Sequence, residues 1–306
     1  MAISRAAGHP NYGSGSTSNF VPALWSGMLA PKFYATTVFG AIANTDWEGE
    51  IKGKGDKVYI RVRPTIAIRD YDVGGGLNYE KPEQADVELL VDKAKYWGVE
   101  INDVDEYQSD INMMEIFSDD ATEQMQIAVD TDVLGGIYSQ AAATNAGTAA
   151  GAKSSSFNLG SAASAVSITS ANVIDYITRH GAVLDEVNIP QQGRWMVLPP
   201  WMCYKVKNSD LKDASLAGDG TSILRNGRIG MIDRFEIYMS NNLTVTGSNT
   251  NIISGHSKGV TFASQITKVE NLMNPNDFGT IVRGLNVYGY KVVNADTMTH
   301  GVVTPG

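Results

Sequence analysis

Gly227-Arg-Ile-Gly-Met-Ile-Asp-Arg-Phe-Glu-Ile-Tyr-Met-Ser-Asn-Asn242 is the stretch on which the reading of this chain turns. Its second half, Phe235-Glu-Ile-Tyr-Met239, has the aromatic and β-branched content of a short strand. Other strand-like runs surround it: Trp195-Met-Val-Leu198, stopped by Pro199-Pro200, then Asn251-Ile-Ile253, Val260-Thr-Phe262 and Leu285 to Val293. Helical patterns intervene. Ser170 is placed to cap a helix carrying Val173, Ile174, Ile177, Val183 and Leu184, and Trp201 to Asn208 reads as another. Residues 141–165 are Ala, Gly and Ser with little else, the composition of a flexible loop. Helix and strand alternate irregularly and no repeat of roughly 20–50 residues shows, so the expected class is α+β.

Further upstream, Asn102 to about Gln140 carries the strongest helical signal. Val104, Tyr107, Ile111, Met114, Ala121, Met125 and Ala128 recur at helical spacing and form one apolar stripe. Asn102, with Asp105 three residues on, suits the N-cap. Eleven acids lie from Glu100 to Asp132 and no Lys or Arg from Tyr96 through Ala152, so one face of this helix is strongly negative. The Gly135-Gly136 pair is expected to kink or fray its end.

Two alternating runs precede the helix. Val58, Ile60 and Val62 alternate with Lys57, Tyr59, Arg61 and Arg63, and Val87, Leu89 and Val91 alternate with acids. Tyr71-Asp-Val-Gly-Gly-Gly-Leu-Asn-Tyr79 joins them. A basic strand leading out and an acidic one returning favour a hairpin through cross-strand pairs. A long two-stranded ribbon is marginal alone in water and implies support from elsewhere. Residues 20–43 are apolar and broken by Pro22 and Pro31 into two short helices, behind a Gly/Ser/Asn-rich segment, 1–19, that cannot repay its own ordering entropy.

Composition narrows the function. Of 306 residues, 43% are hydrophobic and 19% charged, which excludes a disordered chain and a coiled-coil rod. A formal charge of −9 is opposite to the basic stripe of a tight phosphate binder. Cys203 is the single cysteine, so neither an internal disulfide nor a thiolate cluster is available. No apolar run is long enough for a membrane span and no secretory h-region is readable, so a soluble protein is expected, and the lone cysteine points to a reducing cytoplasm or to an assembly that gains its durability from subunit contacts.

One motif suggests an enzyme. Gly255-His-Ser-Lys-Gly259 matches the nucleophile elbow G-x-S-x-G, with Asp277 or Asp296 and then His300 following in the order of a serine hydrolase that would use Ser257. The residues after it, Val-Thr-Phe-Ala-Ser264, favour a strand over the helix an elbow needs, so a glycine turn is the preferred reading. The four histidines lack metal-site spacing, and Gly74-Gly75-Gly76 lacks the Lys of a phosphate loop. Asp103, Asp105, Glu106, Asp119 and Asp120 lack the pattern of a calcium loop and read as a solvated helix face. No catalytic residue, metal or cofactor is expected.

The order of parts, with Gly227–Asn242, carries a resemblance. The stretch, with two residues instead of three between its glycines, resembles the G-x-x-x-G-h-h-D-x-F-x-h-x-x-S-N-N-h pattern (h, apolar) of tailed-bacteriophage major capsid proteins, whose shell fold is named after phage HK-ninety-seven. Ile252-Ile-Ser-Gly255 and Val260-Thr-Phe-Ala-Ser-Gln265 follow at the family's usual distance, and Asp277-Phe-Gly279, Arg283-Gly-Leu285 and Val287-Tyr-Gly-Tyr-Lys-Val-Val293 resemble its C-terminal strand. The resemblance implies an N-arm over 1–50, an E-loop hairpin over 51–100 and the spine helix of the peripheral domain over 101–140. The axial domain and returning peripheral strands would share 141–306. It implies self-assembly into hexamers and pentamers of an icosahedral shell around double-stranded DNA, in the host cytoplasm and without a membrane. A separate scaffolding protein is expected because no charged helical prefix stands ahead of the arm, with a portal and a decoration protein as further partners. An encapsulin-type compartment is the alternative within the fold. Expected inter-subunit residues are Phe20, Leu24 and Trp25 of the arm, Lys57, Arg61, Arg63 and Arg69 of the hairpin, and Asp110, Glu115 and Asp119 of the helix.

Overall fold

Strand β1 (Lys57–Arg61) pairs antiparallel with β2 (Asp86–Leu90), Lys57 opposite Leu90 and Arg61 opposite Asp86, as the two alternating runs require. The computed structural model describes residues 32, 34–48, 57–62, 64, 66–71, 73–74, 76–81, 86–108, 112–209, 230–275 and 277–306. The base of the hairpin is anchored by a small core of Ile60, Leu89, Val91 and Ala263, with Trp47, Val58 and Val287 packed against it. Beyond that base the ribbon has no core among the described residues.

A three-stranded antiparallel sheet follows, in the order β10 (Val260–Met273), β11 (Gly279–Val292), β3 (Lys93–Asn102). Both β10 and β11 run well beyond the segments expected from hydrophobicity, because their distal halves carry Lys268, Glu270, Asn271 and Arg283 on a sheet with little to cover it. Strand β3 is absent from the sequence-based expectation, although its signal is present: Trp97, Val99 and Ile101 share one face and Tyr96 and Glu100 the other.

The expected long helix is two helices. Asn102 does cap, its Oδ1 accepting the Val104 N–H at 2.9 Å, but it opens only the short α2 (Asp103–Gln108). The long helix α3 (Met113–Ile137) starts at a second cap, where Asn112 Oδ1 accepts the Glu115 N–H and Asn112 Nδ2 donates to Glu115 Oε2 at 3.0 Å. Ser109, Asp110 and Asn112 favour caps and turns over helix interiors. The apolar stripe is shifted accordingly. Tyr107 and Val104 are exposed, and the buried face is Val129, Val133, Leu134 and Ile137, where α3 meets both sheets. The glycine pair does not fray α3, which runs through it to Ile137 before tightening into a 3₁₀ turn over Tyr138–Gln140. Asp132 pins this end to the three-stranded sheet. Its carboxylate takes Lys93 Nζ at 3.0 Å and the Tyr288 hydroxyl at 3.0 Å, and its backbone carbonyl takes the Tyr290 hydroxyl at 2.9 Å.

The main core belongs to a seven-stranded sheet in the order β4 (Val166–Ile168), β12 (Met298–Pro305), β9 (Asn249–His256), β5 (Arg194–Leu198), β7 (Phe235–Met239), β6 (Met231–Ile232), with β8 (Val245–Thr246) on β9. The β5 run Arg-Trp-Met-Val-Leu is buried at every position, which a central strand covered on both faces requires. Helices α4 (Val173–Glu186) and α5 (Pro200–Lys207) pack on each other, and Tyr176, Ile177, Leu184, Met202 and Val206 join the same core as Phe235 and the end of α3. The cap position of α4 is Asn172, not Ser170.

The supposed flexible loop, 141–165, is built into this body. Ala150 and Phe157 exchange two backbone hydrogen bonds at 2.8 and 3.0 Å, Leu159 N–H donates to Gly147 O at 2.9 Å, and Ala150, Leu159 and Val183 form a buried cluster. The small side chains that made the segment look mobile are what let its backbone lie this close to β12, whose Val302 N–H donates to Leu159 O at 2.9 Å.

Candidate assembly surfaces

The hairpin displays apolar surface without covering it. Ile68 is 93% exposed and Tyr79 is 89% exposed, and Ile66, Tyr71, Val73 and Leu77 are exposed beside them. Isolated apolar side chains on a surface need no explanation, but a run of them along a ribbon whose described residues form no core beyond its base marks a contact surface. The ribbon holds its shape by charge pairing inside itself. Lys57 Nζ lies 3.0 Å from Glu88 Oε1 and 5.2 Å from the centre of the Tyr59 ring. Hydrogen bonds to Tyr59 and Glu88 raise the Lys57 pKa, keeping it charged. Arg69 lies 3.6 Å from Glu80, whose Oε1 also accepts the Ala67 N–H at 2.8 Å. Two of the four basic residues expected to face a neighbour are thus engaged within the hairpin; Arg61 is exposed and Arg63 lies outside the described residues.

The acidic helix is also partly occupied by its own chain. Asp120 accepts the Tyr34 hydroxyl at 2.7 Å and pairs with Lys32. That contact lowers the Asp120 pKa, chiefly through Lys32, and pushes the Tyr34 phenol up to about 12. Glu115 and Asp119 face solvent, Glu115 sharing its carboxylate with the Asn112 cap. Phe20, Leu24, Trp25 and Asp110 lie outside the described residues.

One residue of this region is not singled out by the sequence reading. Asp130 is wholly buried, its Oδ1 accepting the Val38 and Phe39 N–H groups at 2.9 and 2.8 Å, at the start of α1 (Phe39–Ile42). Its Oδ2 accepts Asn242 Nδ2 at 2.7 Å. Asn242 is the last residue of the opening stretch, held in a turn by its N–H to Ser240 Oγ at 3.0 Å. The signal that could have found it is an acid seated between Val129, Val133 and Leu134, on the face of α3 that is otherwise apolar.

The hydrolase reading has no geometry behind it. Ser257 sits in the tight turn between β9 and β10, where its N–H donates to Gly193 O at 3.0 Å and Gly259 N–H donates to His256 O at 2.8 Å. His300 Nε2 is bonded to Asn251 Oδ1 at 2.9 Å. The serine that does meet a histidine is Ser254, 3.2 Å from His180 Nδ1, and that pair is sealed in the core with Thr299. Burial raises the Cys203 thiol to about 11, far from a reactive thiolate. Among the described residues no cluster of His, Cys, Asp and Glu is arranged to hold a metal, and no helix is long and apolar enough to cross a membrane.

Comparison with known proteins agrees with this picture of a structural subunit. The family model described as phage capsid protein matches residues 87–300. A structure from Mycobacterium phage Che8 is similar with a TM-score of 0.78 at 25% identity, covering 92% of this chain and 97% of that one. The capsid of cyanophage P-SCSP1u gives a TM-score of 0.73 at 15% identity, with 96% of each chain covered. The mature capsid of bacteriophage PhiM1 gives 0.67 at 16% identity, covering 99% of this chain and 97% of that one. No curated protein matches the chain in sequence. Neither the encapsulin nor the hydrolase reading finds support among these matches. With a family match over most of its length and a hairpin whose described residues beyond its base expose their apolar side chains, the chain belongs to the phage capsid protein family and is a major capsid protein, a structural subunit of an icosahedral virion shell.

Proposed function

We propose that the subunit builds hexamers and pentamers in which residues 1–50 act as an arm and 51–100 as an E-loop, both laid across neighbouring subunits. Residues 101–140 serve as the spine of a peripheral domain, and 141–306 carry the axial domain and the returning peripheral strands. The observation that carries this reading is the exposed apolar series Ile66, Ile68, Tyr71, Val73, Leu77 and Tyr79 on a ribbon that, among the described residues, has no core beyond its base. Docked on a neighbour, such a ribbon adds contact area that a compact monomer lacks. The shell encloses double-stranded DNA, and a net charge of −9 limits adhesion of the packaged phosphates to its wall. Assembly takes place in the host cytoplasm with a separate scaffolding protein, a portal and a decoration protein.

Because Lys57 and Arg69 are paired within the hairpin, the intersubunit charge contact rests on Arg61 and Arg63 against Glu115, Asp119 and Asp110 of the next subunit. One such exposed pair contributes only about 0.2–1 kcal/mol, but it repeats at every contact of the shell. Arg61→Glu with Arg63→Glu is expected to abolish closed shells in negative-stain images. Adding Glu115→Arg and Asp119→Arg should recover them at least in part. Normal shells from the first double variant would defeat the contact.

A further inference from the structure

Asp130 is the only acidic side chain among the described residues that is fully buried, and its environment is unusual for a carboxylate. No lysine or arginine pairs with it among the described residues. Its charge is balanced by three N–H donors, two from the backbone of Val38 and Phe39 and one from Asn242. Charge-assisted bonds of this kind are strong, and a buried carboxylate that loses one is left with a desolvation cost nothing offsets. The site therefore favours two conditions, fully seated or released.

Three parts of the chain converge on these atoms. Helix α3 supplies the carboxylate, the incoming N-terminal chain supplies two amides, and the Ser240-Asn-Asn242 turn supplies the third donor. That turn is itself tied to the central strand, since Ser240 N–H donates to Leu198 O at 3.1 Å. Ten residues earlier on α3, Asp120 holds Tyr34 and Lys32. Ten helical residues span about 15 Å, close to the reach of four extended residues, so the chain from Tyr34 to Val38 runs alongside α3 in the same direction. The outer contact is exposed and weak, whereas the Asp130 contact is enclosed.

We propose that Asp130 is the positioning residue that sets the line along which the N-terminal chain leaves the body, and hence which neighbour it reaches in the shell. Asn242 acts as its partner from the body of the subunit. This rests on the reading of the N-terminal chain as an intersubunit arm. It also gives the Asn242 of the opening stretch a physical role, because the Ser240 hydroxyl fixes the turn that aims the amide of Asn242 at the carboxylate.

The test exchanges the two groups. Asn242→Asp sets a second carboxylate against the first. Asp130→Asn added to it restores a donor and an acceptor in reversed order, with Oδ1 of residue 130 still accepting the two amides. Asn242→Ala removes one donor without adding charge and serves if the charged variant does not fold. Hydrogen–deuterium exchange on the full-length chain before assembly reads peptides spanning 34–43, with β5 as the internal reference. Exchange in the first peptides should rise about tenfold or more in Asn242→Asp, less in Asn242→Ala, and return in the double variant, while β5 is unchanged. Closed shells of uniform size should be lost and regained in parallel. Wild-type protection at 34–43 in both single variants, or no recovery in the double variant, would overturn the proposal at the contact itself. Lost protection with shells of normal size and closure would overturn it at the arm instead.

Discussion

Gly136 is the position where a single methyl group should be felt most clearly. A Cβ there would lie 1.9 Å from the Tyr290 hydroxyl oxygen and 2.7 Å from two carbons of its ring. Tyr290 has little freedom to move, because its hydroxyl donates to the Asp132 carbonyl at 2.9 Å and Lys93 sits 4.7 Å over its ring. Gly136→Ala therefore forces the ring aside, an overpacking cost of about 1–3 kcal/mol, and breaks a hydrogen bond contributing about 1 kcal/mol. Against this, alanine is favoured over glycine inside a helix by about 1 kcal/mol. The net expectation is a loss of about 1–3 kcal/mol. Its neighbour provides the control, since a Cβ at Gly135 meets only Thr244 Oγ1 at 3.4 Å. Gly135→Ala should thus stabilise by up to about 1 kcal/mol. Urea unfolding is best followed on unassembled chain, because association adds a concentration-dependent stability of its own. Tyr290→Phe in the Gly136→Ala background removes the oxygen but leaves the ring carbons, so it should recover part of the loss and couple non-additively. A Gly136→Ala midpoint at or above wild type, or the same shift from both alanines, would refute the steric account.

Two further outcomes follow from the body of the subunit. Burial, with a smaller contribution from His300, holds the His180 pKa down at about 3, so the folded state keeps the ring neutral where the unfolded chain, with a pKa near 6.5, binds a proton. Stability from this residue is complete above the unfolded pKa and falls as pH drops from about 6.5 toward 3, by about 2 kcal/mol at pH 5. His256 and His300, also lowered by burial, act in the same direction. His180→Asn should flatten that acid limb in part, and an unchanged slope in chemical denaturation between pH 7 and 5 would count against the assignment. Leu159 is fully buried in the segment that looks flexible in sequence. Leu159→Ala should cost about 2–5 kcal/mol by urea unfolding, whereas a mobile loop would yield no measurable change.

The described apolar residues of this chain divide between a packed body and an exposed ribbon. The main core gathers the end of α3, α4, α5 and the central strands, while the hairpin carries large apolar groups outward. Charge follows the same division. Arg194 is buried and fully engaged, its guanidinium donating to Asp185 at 2.6 Å and to the carbonyls of Ile189 and Pro190, whereas Arg61 is exposed on the ribbon.

What could be read directly was whatever depends on neighbours in sequence. Period-two alternation gave the hairpin, a bounded apolar run gave β5, and helical periodicity gave the existence of α3; the hairpin's register came only with the structure. The opening stretch and the strands after it were enough to name the family. Tertiary structure decided the rest, because the deciding partners lie far along the chain. Asp130 meets amides 92 and 91 residues away and an amide 112 residues away, so nothing local marks it as a junction. The Ala/Gly/Ser segment is ordered by Leu159 and by backbone pairing with β12, which composition does not encode. Gly136 looks like a helix breaker until Tyr290, far along the chain on β11, is seen to occupy the space where its side chain would be. A local pattern dictates which elements form; the close approaches among them are set by residues that only folding brings together.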